Sequence, residues 1–182
     1  MKNNYVKKVC ICAVMAALFV PLEMLAANFG KIAFLDNYQI PISCFPLIIA
    51  SVMFGVSWGG ATALVAAFVS QLAMGYGINW STVIWIIPTV VYALTVALLH
   101  KALGKKESFP LFALELFISA VVLSALNIGA SYLSNYISGG KAVANLIAIF
   151  ASLKFIGGIA FAVIFAVITP PIIKRIQKTV KL

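Results

Sequence analysis

From Val9 to Phe29 the chain reads VCICAVMAALFVPLEMLAANF. A segment of about 20 apolar residues crosses a bilayer as a helix, and this run is that long. Lipid offers the backbone no hydrogen-bond partner, so a spanning segment must satisfy itself, as a helix or within a closed barrel. The run is continuous rather than alternating, which selects the helix. It also carries two unlike features at two depths. Ala13, Ala16 and Ala17 lie near its start, with Ala13 and Ala17 one turn apart on one face. Small residues at that spacing let another helix come close. Near the far end, two residues after Pro21, stands Glu23. A carboxylate at membrane depth is expensive and calls for a function or a partner.

Runs of this kind fill the chain. Of its 182 residues 64% are hydrophobic and only 9% charged, more apolar surface than a soluble domain of this size needs. The expected fold is all-α: a single membrane domain of six transmembrane helices with both termini cytoplasmic. The spans are expected near residues 9–29, 43–54, 60–74, 82–99, 110–133 and 143–169. The second and third come from one apolar stretch, Ile40 to Met74, of 35 residues. As one helix it would be about 52 Å long against a hydrocarbon core of roughly 30 Å. Gly55, Gly59 and Gly60 offer the break. Pro88 should kink the fourth span, and Pro170-Pro171 should close the sixth.

The positive charges give the orientation. With the N-terminus inside, the inner segments hold Lys2, Lys7, Lys8, Lys101, Lys105, Lys106, Lys174, Arg175, Lys178 and Lys181, and the outer loops hold only Lys31 and Lys141. That bias places both termini in the cytoplasm. The net charge of +9 therefore reflects membrane topology, and no nucleic-acid partner is expected.

The thirteenth positive residue, Lys154, falls inside the sixth span. Helical rise puts Glu23 about 21 Å from the inner edge and Lys154 about 16 Å from the outer edge. The two charges can pair as a structural bridge, or both can face a ligand. Other polar and aromatic groups gather toward the outer side: Tyr38 and Gln39 before the second span, Gln71 near the end of the third, Tyr76, Asn79 and Trp80 in the following loop, and Trp85 one turn on. Asn127 lies in the middle of the fifth span. Aromatic faces with a few placed hydrogen-bonding groups suit a planar organic ligand. Tyr76, Trp80 and Trp85 equally suit an interfacial aromatic belt, and Gln71 and Asn127 equally suit hydrogen bonds between helices. Cys10, Cys12 and Cys44 read as small apolar packing residues.

No G-x-x-x-x-G-K-[ST] phosphate loop or H-E-x-x-H pair occurs. Catalytic residues, a bound metal and a cofactor are therefore not expected. The basic start before an alanine-rich helix (KKVCICAVMAAL), the segment IPISCFPLIIASVMFGVSWGGATALVAAFVSQL and the end KFIGGIAFAVIFAVITPPIIKRIQK resemble the substrate-binding S components of energy-coupling factor (ECF) transporters, over essentially the whole chain. The resemblance implies six helices that bind a vitamin or related micronutrient from outside. It also implies ATP-driven uptake with a membrane coupling (T) subunit and two cytoplasmic ATPases, the chain itself doing no chemistry. An Ala-x-x-x-Ala face on the first helix docks the coupling subunit in that family, and Ala13 and Ala17 match it. LNIGASYL in the fifth span, followed by a basic residue in the sixth, looks loosely like folate-type members, while Lys154 is similar to a lysine in the last helix of riboflavin-type members.

On this reading Glu23, Gln71, Trp80, Asn127 and Lys154 line an outward-facing pocket closed by the loops at Tyr38 and Tyr76. The competing reading is a stand-alone secondary transporter of a small organic molecule, with Glu23 as its proton-coupled group. The lack of an internal repeat counts against it.

Overall fold

The computed structural model describes residues 2–32, 41–103, 109–137 and 144–180, with the backbone alone for 2, 3, 29–32 and 144–156. Among the described residues the protein has six α-helices and no strand: α1 (Lys2–Ile32), α2 (Cys44–Phe54), α3 (Val56–Ala73), α4 (Trp80–Ala102), α5 (Phe109–Ile137) and α6 (Ala144–Val180). A 3₁₀ turn, Pro41–Ser43, leads into α2. Five of the helices are long and apolar enough to cross a membrane, and the sixth apolar piece, Pro41–Phe54, is shorter.

The long helices pack in the order α1, α3, α4, α5, α6, and α2 lies among them, touching α1, α3, α4 and α6. This explains how α2 can be short. With its 3₁₀ turn it is about 22 Å long, less than the hydrocarbon core. Pro46 to Ser51 are all buried, so other helices rather than lipid surround it. Backbone that does not face lipid is free of the length rule that binds an exposed span.

The break between α2 and α3 is a single residue, Gly55, at φ +79°. That left-handed conformation favours glycine, and the Gly55 amide closes α2 by donating to the Ser51 carbonyl at 2.9 Å. The third span thus starts at Val56, earlier than the sequence suggested. Gly59 serves packing instead, since a Cβ there would lie 2.8 Å from the Ser51 Cα. Its missing side chain lets α3 pass directly against α2. Gly59→Ala forces backbone apart and is expected to destabilise the fold by about 1–3 kcal/mol, read as a lower Tm in detergent. An unchanged Tm would show that the hairpin is not held by this contact.

Three buried clusters join the helices. Ala16, Phe19, Leu47, Ala63, Ala66 and Ala93 bring α1, α2, α3 and α4 together. Lipid is as apolar as these side chains, so close van der Waals contact over small residues, not the hydrophobic effect, holds such helices. Cys44, Ile48, Tyr92, Val96, Phe112, Leu116, Ala162 and Phe165 pack α2, α4, α5 and α6. Met15, Ile49, Ala50 and Ile173 join α1 and α2 to α6.

The last cluster corrects one expectation. Pro170-Pro171 does not end the sixth helix, which runs on to Val180. Two prolines remove two backbone donors and crowd the preceding turn. Ile172, Ile173 and Ile176 nevertheless pack against α1 and α2, which holds the helix beyond them. Lys7 donates to the Val180 carbonyl at 2.8 Å, so the start of α1 and the end of α6 share one end of the bundle. α1, α4 and α5 also outrun their expected spans, because a hydropathy reading stops at polar flanks where a helix need not.

Candidate functional site

Toward the end of the bundle opposite the termini, α4, α5 and α6 part slightly. The gap is a cavity of about 40 Å³ lined by Pro41, Tyr92, Ser124, Asn127, Phe161 and Phe165, with Ala120, Leu123, Gly158 and Ala162 completing its wall. Helical spacing builds it. Ala120, Ser124 and Asn127 stand one turn apart on α5, and Gly158, Ala162 and Phe165 do the same on α6. The small residues hold the two helices close at Gly158, where a Cβ would lie 3.5 Å from the Ser124 Oγ and 3.7 Å from the Ala120 Cβ. The larger Asn127 and Phe161 stand where the helices part. The ring of Phe161 lies 5.7 Å from that of Phe165, which in turn lies 5.4 Å from Phe45. The surface offered is aromatic on one side and carries amide and hydroxyl groups on the other. Its volume holds a few water molecules. A vitamin-sized ligand needs it wider.

Behind Pro41 stands a polar group. The Ser43 hydroxyl lies close to the Glu23 carboxyl group and to the Cys44 thiol. Glu23 is half-buried, with Ser43 at the start of α2 close to its carboxyl group. Tyr92, 3% exposed, lies within electrostatic range of Cys44 and lines the cavity itself.

The residues singled out from the sequence separate clearly. Asn127 lines the cavity, and Glu23 stands behind its Pro41 wall, against Ser43. Lys154 stands one turn before Gly158 on the same face of α6, but its side chain, like Tyr38 and Gln39, lies outside the described residues. Gln71 and Trp85 are half-buried on α3 and α4 and do not line the cavity. Tyr76 and Trp80 are 56% and 77% exposed at the end of the bundle opposite the termini. Asn79 is occupied as the N-cap of α4. Its Oδ1 accepts from the Thr82 amide at 3.0 Å, and the Thr82 hydroxyl oxygen accepts in return from the Asn79 amide at 3.3 Å.

Pro41, Tyr92, Ser124, Phe161 and Phe165 were missed in the sequence. For the last three the signal was there as two stripes, Ala120-x-x-x-Ser124-x-x-Asn127 and Gly158-x-x-Phe161-x-x-x-Phe165. The first is small and polar, the second small and aromatic, and Lys154 extends the second by one turn.

The alanines of α1 divide. Ala13 and Ala17 are exposed, beside Val14 and Leu18, which are also exposed. Ala16 is turned inward and packs on Phe19 and Leu47, so it is not available to a partner.

A second buried polar pair also went unread. Glu115 on α5, 2% exposed, meets His100 Nδ1 at the end of α4 through Oε2 at 3.2 Å, and its Oε1 has no partner among the described residues. The His100 ring lies edge-on to Phe112, with centroids 6.1 Å apart. This clamp lies toward the termini, away from the cavity. His100→Ala takes the remaining partner from a buried carboxyl group. The expected loss is about 1–3 kcal/mol, read as a lower Tm in detergent, with ligand affinity at the far cavity little changed. A Tm equal to wild type would mean the pair contributes nothing to holding α4 on α5.

A small helical membrane protein whose long helices part around an aromatic and amide-bearing cavity has the build of a membrane-embedded solute-binding component. The comparison with protein families gives the kind: the model described as "ECF-type riboflavin transporter, S component" matches residues 3–178, and the chain belongs to that family. It is thus the membrane-embedded substrate-binding subunit of an ECF-type importer, a transport protein of vitamin uptake. Neither the curated proteins nor the solved structures gave a match.

Proposed function

We propose that the cavity between α4, α5 and α6 captures a planar vitamin of the riboflavin type from the outer side of the cell membrane. The observation that carries this is Asn127 set among Tyr92, Phe161 and Phe165. A flavin is a flat tricycle with an imide edge that presents acceptor, donor and acceptor in a row. Aromatic rings suit its faces, and a carboxamide, which both donates and accepts, suits its edge. Lys154, one turn further out on the α6 stripe, supplies a cation to an edge carbonyl. Glu23, near Ser43 beyond Pro41, is placed to meet ligand hydroxyl groups once the wall at Pro41 shifts. The name of the matched family, which specifies riboflavin, supports the same choice.

The ten-to-two bias of Lys and Arg supports cytoplasmic termini and an outward-opening cavity. The chain then works with a membrane coupling subunit and two cytoplasmic ATPases. The exposed Ala13 and Ala17 form the docking face, and ATP hydrolysis in the partners moves the loaded subunit. Mass spectrometry of small molecules released from the purified protein tests the ligand. An equimolar flavin is expected, and a different copurifying vitamin would overturn the assignment while leaving the cavity in place.

A further inference from the structure

We infer that the last three turns of α6, with the start of α1, form a binding site for anionic phospholipid headgroups in the leaflet at the end of the bundle that carries the termini. At 37 residues α6 is about 55 Å long and outruns a hydrocarbon core of roughly 30 Å. Its segment beyond Pro171 has two faces. Ile172, Ile173 and Ile176 pack on α1 and α2. Lys174, Arg175 and Lys178 are exposed on the opposite side, spaced three and four residues apart so that they share one face. The Lys7 bond to the Val180 carbonyl brings Lys7 and Lys8 of α1 to the same corner.

Five cations thus share one end of the bundle, and the chain holds only four acidic residues. Glu23 lies near Ser43 toward the opposite end, and Glu115 is buried on His100. Asp36 belongs to the connection between α1 and α2 and lies outside the described residues. Glu107, in the α4–α5 connection and outside the described residues, is the one acid whose place in the chain brings it to this end. Even with Glu107 set against it, the corner keeps a strong net positive charge, whatever local contacts its side chains make. Like charges three and four apart on a helix repel, so anions from outside stabilise such a cluster. A phosphodiester answers that need. A helix that outruns the hydrocarbon core carries its end into the headgroup region, where the phosphates on offer are those of lipids. Each basic residue near an anionic leaflet strengthens attraction about fivefold.

The test uses the full chain and the variant K174Q/R175Q/K178Q in nanodiscs of phosphatidylcholine alone and of phosphatidylcholine with phosphatidylglycerol. Native mass spectrometry of lipids retained after extraction is expected to show phosphatidylglycerol enriched over phosphatidylcholine on the wild type. The enrichment should fall about tenfold or more in the variant and decline with added salt. The wild-type Tm should rise in the anionic discs and the variant's should not. Equal retention by the two proteins would overturn the site. So would the same Tm gain from inorganic phosphate in phosphatidylcholine discs, which would make free phosphate the ligand. If the triple variant fails to fold, R175Q/K178Q is read instead, together with the salt dependence of the wild type. Enrichment on the wild type that is insensitive to salt also contradicts the site.

Discussion

Ala17→Trp and Ala13→Trp, each alone, are expected to reduce vitamin uptake by cells about tenfold or more while leaving ligand affinity of the purified subunit unchanged. Both positions are exposed and one turn apart on α1, and none of the described residues covers them. Small residues four apart allow two helix backbones to approach closely, and an indole on that surface holds them apart. A tenfold loss corresponds to only about 1.4 kcal/mol of lost association, well within what such a wedge removes. The cavity lies on α4, α5 and α6 and does not involve these residues. Ala16→Trp is the instructive contrast. Ala16 is buried against Phe19 and Leu47, so its enlargement should unfold the subunit rather than uncouple it. Normal uptake in both exposed variants would reject the docking face.

Lys154→Ala is expected to weaken flavin binding by about tenfold to a hundredfold and Asn127→Ala by about threefold to tenfold. A hydrogen bond to a charged group contributes roughly 1.5–3 kcal/mol and a neutral one about half that, so the lysine should be the costlier loss. The measurement is Kd from quenching of flavin fluorescence, with the Tm of each variant recorded to separate lost contacts from a lost fold. Asn127→Asp should be worse than Asn127→Ala, since it removes the amide donor and sets an anion against the ligand's carbonyl groups. Affinity unchanged in Lys154→Ala would remove that residue from the site without touching the case for Asn127.

The helical plan was legible because lipid simplifies the problem. A chain that cannot expose backbone must form helices, so the apolar run at Val9–Phe29 and the over-long stretch Ile40–Met74 dictate their own division. Gly55, one of three candidate glycines, is the break because its backbone takes a left-handed conformation. The continuation through Pro170-Pro171 was not legible. A proline rule is local, whereas the isoleucines that rescue the helix find their partners on α1 and α2. The site was half visible for the same reason. Asn127 stands out as a polar residue in an apolar span, but Tyr92, Phe161 and Phe165 look like ordinary core until the helices are brought together. Glu115 and His100, fifteen residues apart across a connection, meet only because α4 and α5 are antiparallel neighbours. Trp80 and Tyr76, prominent in the sequence, stand exposed at the end of the bundle opposite the termini and outside the lining of this cavity.

The most direct test is a titration of riboflavin into the purified subunit alone, without coupling subunit or ATPases, following flavin fluorescence. Saturation at one flavin per chain is expected, with emission quenched as the ring system enters among Tyr92, Phe161 and Phe165, and with weaker binding in Phe161→Ala. Emission that stays unquenched at saturating protein, or binding indifferent to Phe161 and Asn127 alike, would contradict a flavin site between α4, α5 and α6.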